Sequence, residues 1–466
     1  MHLGVGMLSL MLLLGGTRVA GALSTAPVRQ DLVDAVRAGR LDTARAVWWG
    51  FDPQDATWAL QQAIDSGARH VLVENTGTPW VVTPLVLASN QEVVFEAGVT
   101  VQAKRGQFRG RGDCLFTARL AENVALRMHK ADYQGPDYDP AEWRHALSLL
   151  SCRNARVLGL TLAESGGDGI YLGVGQRGIP CSDILIKDVV CDANHRQGVS
   201  VISAENVLLE DCVLRGTSGT APMAGIDFEP NEADESIANC TLRRCLFQDN
   251  AGDGIALYLS PLEAGSTPVS LRFEDCRSTG NRRGLVLTTG NTPQDAVAGV
   301  AEIIGCTFAG NRGPALVLDS VPAARWRLRF ARCVLGDSTP GEGPAPILLL
   351  ADQEATEPVG GVTFDACTVR SADGRQPLVY QDWAGGLPAS GVAGTLLVEQ
   401  QGQTTEVPLT PEVLDRWFPT RRLRPIPAWD DLGAVYHPLA PLAQAPGVVT
   451  QVKQRQRAQL LLVPQE

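Results

Sequence analysis

Two carboxylates in the stretch Gly225–Asn231 are the strongest candidates for chemistry. Asp227 and Glu229 lie two residues apart. If this segment is a β-strand, both side chains point to the same side and their Cα atoms are about 6.6 Å apart. That spacing can bring two carboxyl groups to the separations that glycosidases use. The alternative interpretation is a solvated strand end, or an ion pair with Arg196.

Other acids and bases occur at comparable positions. Asp168 and Asp253 are each followed by glycine, where Asp also forms ordinary turns. His195 is one of only six histidines, and a histidine beside carboxylates can act as an acid or a base, or simply stabilise a turn. The predicted catalytic residues are therefore Asp227, Glu229, Asp168, Asp253 and His195.

A second group of residues has the chemistry of sugar contacts. Tyr171 and Tyr258 are suited to stack on sugar rings. Arg144 and Arg196 can hold a substrate carboxylate or sulfate, although ion pairs with neighbouring acids explain them nearly as well. His145 and Gln197 fall on the same predicted surface. The predicted substrate-binding residues are Arg196, Tyr171, Tyr258, Arg144, His145 and Gln197.

The sequence carries no metal signature. His-Glu-x-x-His is absent and the cysteines are too evenly spread for a zinc site. No phosphate-binding glycine loop precedes a helix, so we expect no nucleotide cofactor. Calcium is the one cofactor left open, because Asp168, Asp227, Glu229 and Asp253 are ligands of the type that it prefers.

The elements that position these residues come from an internal repeat. Cysteines recur at intervals of 33, 31, 30, 27 and 34 residues, and three of them are followed five residues later by Asn250, Asn281 or Asn311. A period of this size with alternating apolar residues indicates a solenoid in which each repeat is one coil of a parallel β-helix. The repeated cysteines should then stack as buried free thiols, which their odd total of eleven also favours. They are Cys212, Cys245, Cys276, Cys306, Cys333 and Cys367.

Aligning the coils fixes which side chains face inward. A small residue precedes each strand, and the positions one and three residues later are apolar in six successive coils, from Leu147 and Leu149 to Leu285 and Leu287. Side chains alternate along a strand, so the residues between these positions should face solvent. The candidate acids, bases and tyrosines fall on this outer face over about five coils.

A helix should close the N-terminal end of the solenoid. Asp52 as N-cap and Pro53 at the first helical position predict a helix over about 52–66, with Gly67 ending it. Together with the strand Glu92–Phe95 and the Asn-x-x-Gly-apolar coils, this pattern resembles the right-handed parallel β-helix proteins of the pectin-lyase-like superfamily over roughly residues 50–375. The predicted fold is all-β: a right-handed parallel β-helix solenoid with an N-terminal capping helix and an irregular C-terminal extension.

The resemblance implies an activity on polysaccharides without choosing one, because the superfamily holds polysaccharide lyases, polygalacturonase-type hydrolases, uronan epimerases and phage tailspikes. The Asn-Thr-Asp and Gly-His-Gly motifs of polygalacturonases are absent, so their catalytic residues cannot be carried over. Three functions stay open. They are cleavage of glycosidic bonds by a carboxylate pair, a uronan lyase or epimerase reaction with His, Tyr and Arg, and glycan binding without catalysis.

The remaining predictions concern location and boundaries. An apolar block over Val5–Leu14 followed by Ala20-Gly21-Ala22 indicates a signal peptide at residues 1–22, and hence a secreted or periplasmic protein. A helical cap should follow at 23–69, the β-helix at 70–375, and a C-terminal extension packed on the solenoid at 376–466. The net charge of −11 argues against nucleic acid as a partner, and no later apolar run could form a membrane anchor.

Overall fold

The computed structural model describes residues 25–121, 142–337, 345–371 and 374–418. The predicted signal peptide and the part of the predicted extension beyond residue 418 lie outside these ranges. Within them, no helix has the length and apolar composition needed to cross a lipid bilayer.

The chain begins with short helices and the first coils. The elements of this part are α1 Gln30–Arg37, β1 Thr43–Arg45, α2 Thr57–Ile64, β2 His70–Val73, β3 Trp80–Val82, β4 Leu85–Val86, β5 Glu92–Phe95, β6 Val101–Ala103 and β7 Phe116–Arg119. A 3₁₀ helix, Ala46–Trp49, lies between β1 and α2.

The central coils follow a regular order of one strand on the first face of the solenoid and two on the others. Their strands are β8 Leu147–Leu150, β9 Arg156–Leu158, β10 Thr161–Ala163, β11 Ile170–Gly173, β12 Cys181–Lys187, β13 Val190–Asp192, β14 Val199–Val201, β15 Ala204–Glu210, β16 Val213–Arg215, β17 Ile226–Phe228, β18 Ile237–Arg243, β19 Leu246–Gln248, β20 Ile255–Tyr258, β21 Val269–Glu274, β22 Arg277–Thr279 and β23 Leu285–Thr288.

The last coils end in a hairpin and a short helix. The elements are β24 Gly299–Ile304, β25 Thr307–Asn311, β26 Leu316–Asp319, β27 Trp326–Ala331, β28 Val334–Asp337, β29 Ile347–Ala351, β30 Val359–Arg370, β31 Leu378–Asp382, β32 Ala389–Gln400, β33 Gln403–Pro408 and α3 Pro411–Trp417. β31, β32, β33 and α3 all fall in the stretch that the sequence predicts to be a C-terminal extension.

The predicted right-handed parallel β-helix is confirmed. One parallel sheet of eleven strands runs along the solenoid in the order β31-β29-β26-β23-β20-β17-β14-β11-β8-β7-β4, and a 17-stranded sheet forms the other long surface. The predicted inward residues of the first sheet, from Leu147 to Leu287, all belong to one continuous buried core. Their register is the predicted one, with Ile226 of β17 opposite Val199 of β14 and Ile255 of β20.

Two ladders of small polar and sulfur side chains line the interior. Asn250 donates from Nδ2 to Oδ1 of Asn281 at 2.9 Å, and Asn281 donates to Oδ1 of Asn311 at 3.1 Å. All eleven cysteines are buried and unpaired, which confirms the predicted thiol ladder. Each coil therefore stacks chemically equivalent groups on those of its neighbours.

The capping helix differs from the prediction at its start. α2 begins at Thr57 rather than at Pro53, because the carboxylates of Asp52 and Asp55 form two successive turns by accepting the backbone N–H groups of Gln54 and Thr57. Its side chains Leu60, Ala63 and Ile64 are buried, and Gly67, with φ +79°, follows its end.

Candidate functional site

The outer face of the 11-stranded sheet has the predicted register but not the predicted exposure. Across β8, β11, β14, β17 and β20, the central outward row runs Ser148, Tyr171, Ser200, Asp227 and Ala256. The sequence predicts that these residues face solvent. Most of them, and most outward residues next to them, are instead buried by other side chains of the same face. The buried outward residues are His145, Ser148, Asp168, Gln197, Ser200, Asp227, Asp253 and Ala256.

Asp227 is fully buried and is held by Gln197. Oε1 of Gln197 accepts the backbone N–H of Ala224 at 2.8 Å, so Nε2 faces Asp227 and donates to Oδ2 at 2.9 Å. Oδ1 accepts no hydrogen bond from the described residues. Burial, reinforced by the charge of Glu229 and opposed by Arg196, raises the pKa of Asp227 well above its usual range. The geometry therefore suits a carboxyl group that carries its proton on Oδ1.

The buried position of Gln197 corrects its predicted role. The sequence predicts that Gln197 contacts substrate. Its amide has no exposed surface, and both of its polar atoms form hydrogen bonds inside the protein. Gln197 is instead a positioning residue for Asp227.

Arg196 is the hub of the carboxylates. Its Nη2 donates to Oε2 of Glu229 at 2.6 Å, its Nη1 lies 3.9 Å from Oδ1 of Asp168, and its Nε lies 3.7 Å from Oε1 of Glu142. Burial acts to lower the pKa of Arg196, but Asp168 and Glu229 outweigh it and raise the pKa. The Glu142 and Glu229 side chains keep 31% of their surface exposed, so they form the outer edge of the cluster.

Asp168, His145 and Tyr171 form the inner edge. Nδ1 of His145 accepts the backbone N–H of Asp168 at 3.0 Å and lies 3.2 Å from its Oδ2. The His145 and Tyr171 rings are parallel, with centroids 4.4 Å apart. The His145 ring thus covers the Tyr171 face that was predicted to stack on a sugar. A Cβ at Gly173 would lie 2.1 Å from the Tyr171 ring, so this packing requires glycine there.

Two predicted site residues are held in structural contacts. The guanidinium of Arg144 is buried and donates to the backbone carbonyls of Phe108 and Arg109, so Arg144 cannot bind substrate as predicted. Asp253 is also buried, and both of its oxygens accept from Arg283 at 2.8 and 2.7 Å. Asp253, which the sequence predicts to be catalytic, is therefore held in a two-point ion pair with Arg283.

His195 and Tyr258 lie at the margin of the cluster. Nε2 of His195 is 3.0 Å from Oγ1 of Thr220, and burial, opposed by Glu142, lowers its pKa. Tyr258 ends β20 with 41% of its surface exposed and is free to meet a sugar ring.

The four acids that left calcium open do not form a metal-binding group among the described residues. In the described ranges, no group of three or more His, Cys, Asp or Glu side chains is arranged to hold a metal ion. Arg196 lies beside Asp168 and Glu229, and Arg283 forms an ion pair with Asp253. These acids therefore already have guanidinium groups as their positive partners.

The charges on the 17-stranded sheet, the other long surface of the solenoid, are arranged differently from those on the 11-stranded sheet. On the 17-stranded sheet, acids and bases alternate from coil to coil, as where Glu210 contacts Lys187 at 2.5 Å and Arg243 at 3.4 Å, and Arg243 contacts Glu274 at 2.7 Å. The 11-stranded sheet instead gathers several acids around one arginine and leaves buried carboxylate oxygens of Asp168 and Asp227 without hydrogen bonds from the described residues. Such underpaired buried groups are typical of functional sites.

Sequence reasoning missed three residues of this face. Glu142 contacts Arg196, but it precedes the first regular strand of the repeat and has no register there. Trp143, next in the chain, is 41% exposed and lies under the guanidinium of Arg111, 5.2 Å from its ring centroid. Asp319 ends β26, opposite Thr288, and burial raises its pKa. Extending the register by one coil would have found Asp319.

Comparison with known proteins agrees with this architecture. Residues 140–298 match the family described as the right handed beta helix region. No curated protein sequence matches the chain. The resemblance to the right-handed parallel β-helix proteins of the pectin-lyase-like superfamily is therefore confirmed in fold.

Three solved structures are similar to the chain at low sequence identity. The tailspike of Escherichia coli bacteriophage HK620, in complex with a pentasaccharide, has a TM-score of 0.58 at 13% identity and covers 80% of this chain and 68% of its own. The surface adhesin PfbA of Streptococcus pneumoniae has a TM-score of 0.53 at 11%, covering 77% and 92%. The A-module of the Azotobacter vinelandii mannuronan C-5 epimerase AlgE6 has 0.51 at 13%, covering 74% and 91%. At these identities the likeness establishes the fold alone.

Proposed function

We propose that this chain is an exported protein that binds a polysaccharide on the outer face of its 11-stranded sheet and cleaves a glycosidic bond with Asp227 and Glu229. The observation that carries the proposal is the difference between the two environments. Asp227 is buried with a raised pKa, whereas Glu229 is partly exposed and ion-paired with Arg196. Hydrolysis of a glycoside needs one protonated and one ionised carboxyl group. Asp227 is the acid in this assignment, and Glu229 is the ionised partner.

Access to Asp227 imposes a condition on this mechanism. Its carboxyl group is fully buried, and Arg196 spans from Asp168 to Glu229 beside it. A substrate can meet Oδ1 of Asp227 only after the Arg196–Glu229 contact opens. Glu229, at the exposed edge, is then the first of the two acids to meet the sugar.

The structural neighbours support a saccharide partner. One of them is a tailspike with a bound pentasaccharide, and another is an epimerase of mannuronan. Long parallel solenoid faces suit extended polymers, because equivalent side chains recur about 4.8 Å apart.

Glycan binding without catalysis is the second candidate. The observation that favours it is the complete burial of Asp227, since a general acid must reach the leaving oxygen. The adhesin among the neighbours shows that this fold also occurs in a surface protein described by adhesion.

The test is a screen of the purified protein against a panel of polysaccharides, read for binding, for new reducing ends and for ultraviolet absorbance. Hydrolysis predicts new reducing ends without absorbance from unsaturated sugars. Absorbance that rises with the reducing ends would assign a lyase. Binding without either signal would favour the second candidate.

A further inference from the structure

Around Arg196 the acidic side chains outnumber the guanidinium groups, and the arginines of the neighbouring coils are already engaged. Arg144 donates to backbone carbonyls, Arg283 is held by both oxygens of Asp253, and Arg196 lies among three carboxylates. Burial, opposed by Glu142, lowers the pKa of His195 and so disfavours a positive charge on its ring. Besides the protonated Asp227, the acidic side chains of this face are Glu142, Asp168, Glu229 and Asp253.

Arg196 is the guanidinium that an acidic sugar would have to use, because it contacts Glu229 and lies within 4 Å of Asp168. A substrate carboxylate approaching it would meet Glu229 on Nη2 at 2.6 Å and Glu142 near Nε at 3.7 Å. Like charges at such distances repel strongly where solvent is partly excluded.

The same face offers acceptors that lack donors. Both carboxylate oxygens of Asp168 are buried and accept no hydrogen bond within the described part of the chain. Carboxylate oxygens take hydrogen bonds only from donors, which sugar hydroxyl and amino groups supply and sugar carboxylates do not.

We propose that the polysaccharide taken by this face is non-anionic: its sugars carry hydroxyl or amino groups, and neither carboxylate nor sulfate, at the units that meet Arg196 and Glu229. This substrate class rests on the proposed function. It removes uronan lyase and epimerase reactions from the alternatives, since both need a cation to neutralise the sugar acid.

The test compares two polymers with one backbone, polygalacturonate and its carboxyl-reduced form, at low ionic strength. Wild-type protein should bind the reduced polymer at least tenfold more tightly. Glu229→Gln leaves Arg196 with one neutralising partner fewer, so this variant should bind polygalacturonate at least fivefold more tightly than the wild type. The gain should fade as salt is added, because screening weakens the attraction.

Glu399→Gln is the matched control, because it makes the same charge change and removes a comparable ion pair, with Arg370 at 2.8 Å, on the other sheet. It should leave polygalacturonate binding unchanged. Tighter wild-type binding of polygalacturonate than of the reduced polymer, or equal behaviour of the two variants, overturns the proposal.

If the wild type binds neither polymer, the proposal is decided by whether Glu229→Gln binds polygalacturonate more tightly than the wild type does. Tighter binding upholds the charge argument and its absence overturns it. The proposed function fails separately, if no polysaccharide of the panel is bound or cleaved.

Discussion

Asp227 is the buried carboxyl group to which we assign the role of general acid. Gln197 fixes its Oδ2 as an acceptor, and Oδ1 is left without a donor among the described residues. The sequence around Asp227 does not predict these hydrogen bonds, because Gln197 belongs to the preceding coil. The alternation of side chains predicts that Asp227 points outward, but not that neighbouring side chains bury it.

The raised pKa of Asp227 predicts how stability depends on pH. The folded state binds this proton more tightly than the unfolded chain, so the contribution is fully present below the unfolded pKa, about 3.9, and is lost as pH rises through the higher folded pKa. Asp227→Asn keeps an acceptor for Gln197 but does not titrate.

Chemical unfolding of both proteins between pH 4 and pH 8 measures this effect. The free energy of unfolding of the wild type, minus that of Asp227→Asn, should fall with pH by about 1.4 kcal/mol for each unit of pKa shift. A difference that is constant or rises with pH would show that Asp227 is not a buried acid with a raised pKa.

At the scale of elements, the strand register is the part of the structure that the sequence predicts best. It needs only the alternation of apolar residues, and every predicted inward residue from Leu147 to Leu287 lies in the core. The start of α2 is predicted less well, because Asp52 and Asp55 each accept a backbone N–H two residues on, and both are typical helix N-caps.

The cysteine ladder gives a prediction about the coils. All eleven cysteines are buried, and burial raises the pKa of the Cys114 thiol to about 11 and that of Cys240 to about 12, so these thiols stay protonated and unreactive. Titration under denaturing conditions, without reductant, should find about eleven free thiols per chain. A result of five or fewer would mean that the ladder is cross-linked.

The segment entering β8 gives a prediction about binding. Trp143 follows Glu142, which contacts Arg196, and with 41% of its surface exposed its ring can stack on a sugar. Trp143→Ala should weaken binding of a polysaccharide from the panel about tenfold, or about 1.4 kcal/mol, by isothermal titration calorimetry. Trp383, 60% exposed at the end of β31, is the matched control, and Trp383→Ala should bind normally. Equal losses in the two variants would rule out a local role for Trp143.

For the whole molecule, the two long surfaces differ in how their charges are arranged. The 17-stranded sheet balances its charges from coil to coil, whereas the 11-stranded sheet collects carboxylates around Arg196. The repeat predicts the solenoid and the face that carries the polar residues. It does not predict Arg144 on backbone carbonyls or Glu142 on Arg196, since both contacts join segments that follow no periodic pattern.

The most direct measurement is the rate of release of reducing ends from a polysaccharide that the panel identifies, for the wild type, Asp227→Asn, Glu229→Gln and the control Glu399→Gln. Loss of general acid–base chemistry should lower the rate of each site variant by at least a hundredfold, while Glu399→Gln stays within twofold of the wild type. Full activity in both Asp227→Asn and Glu229→Gln would contradict the assignment of the site.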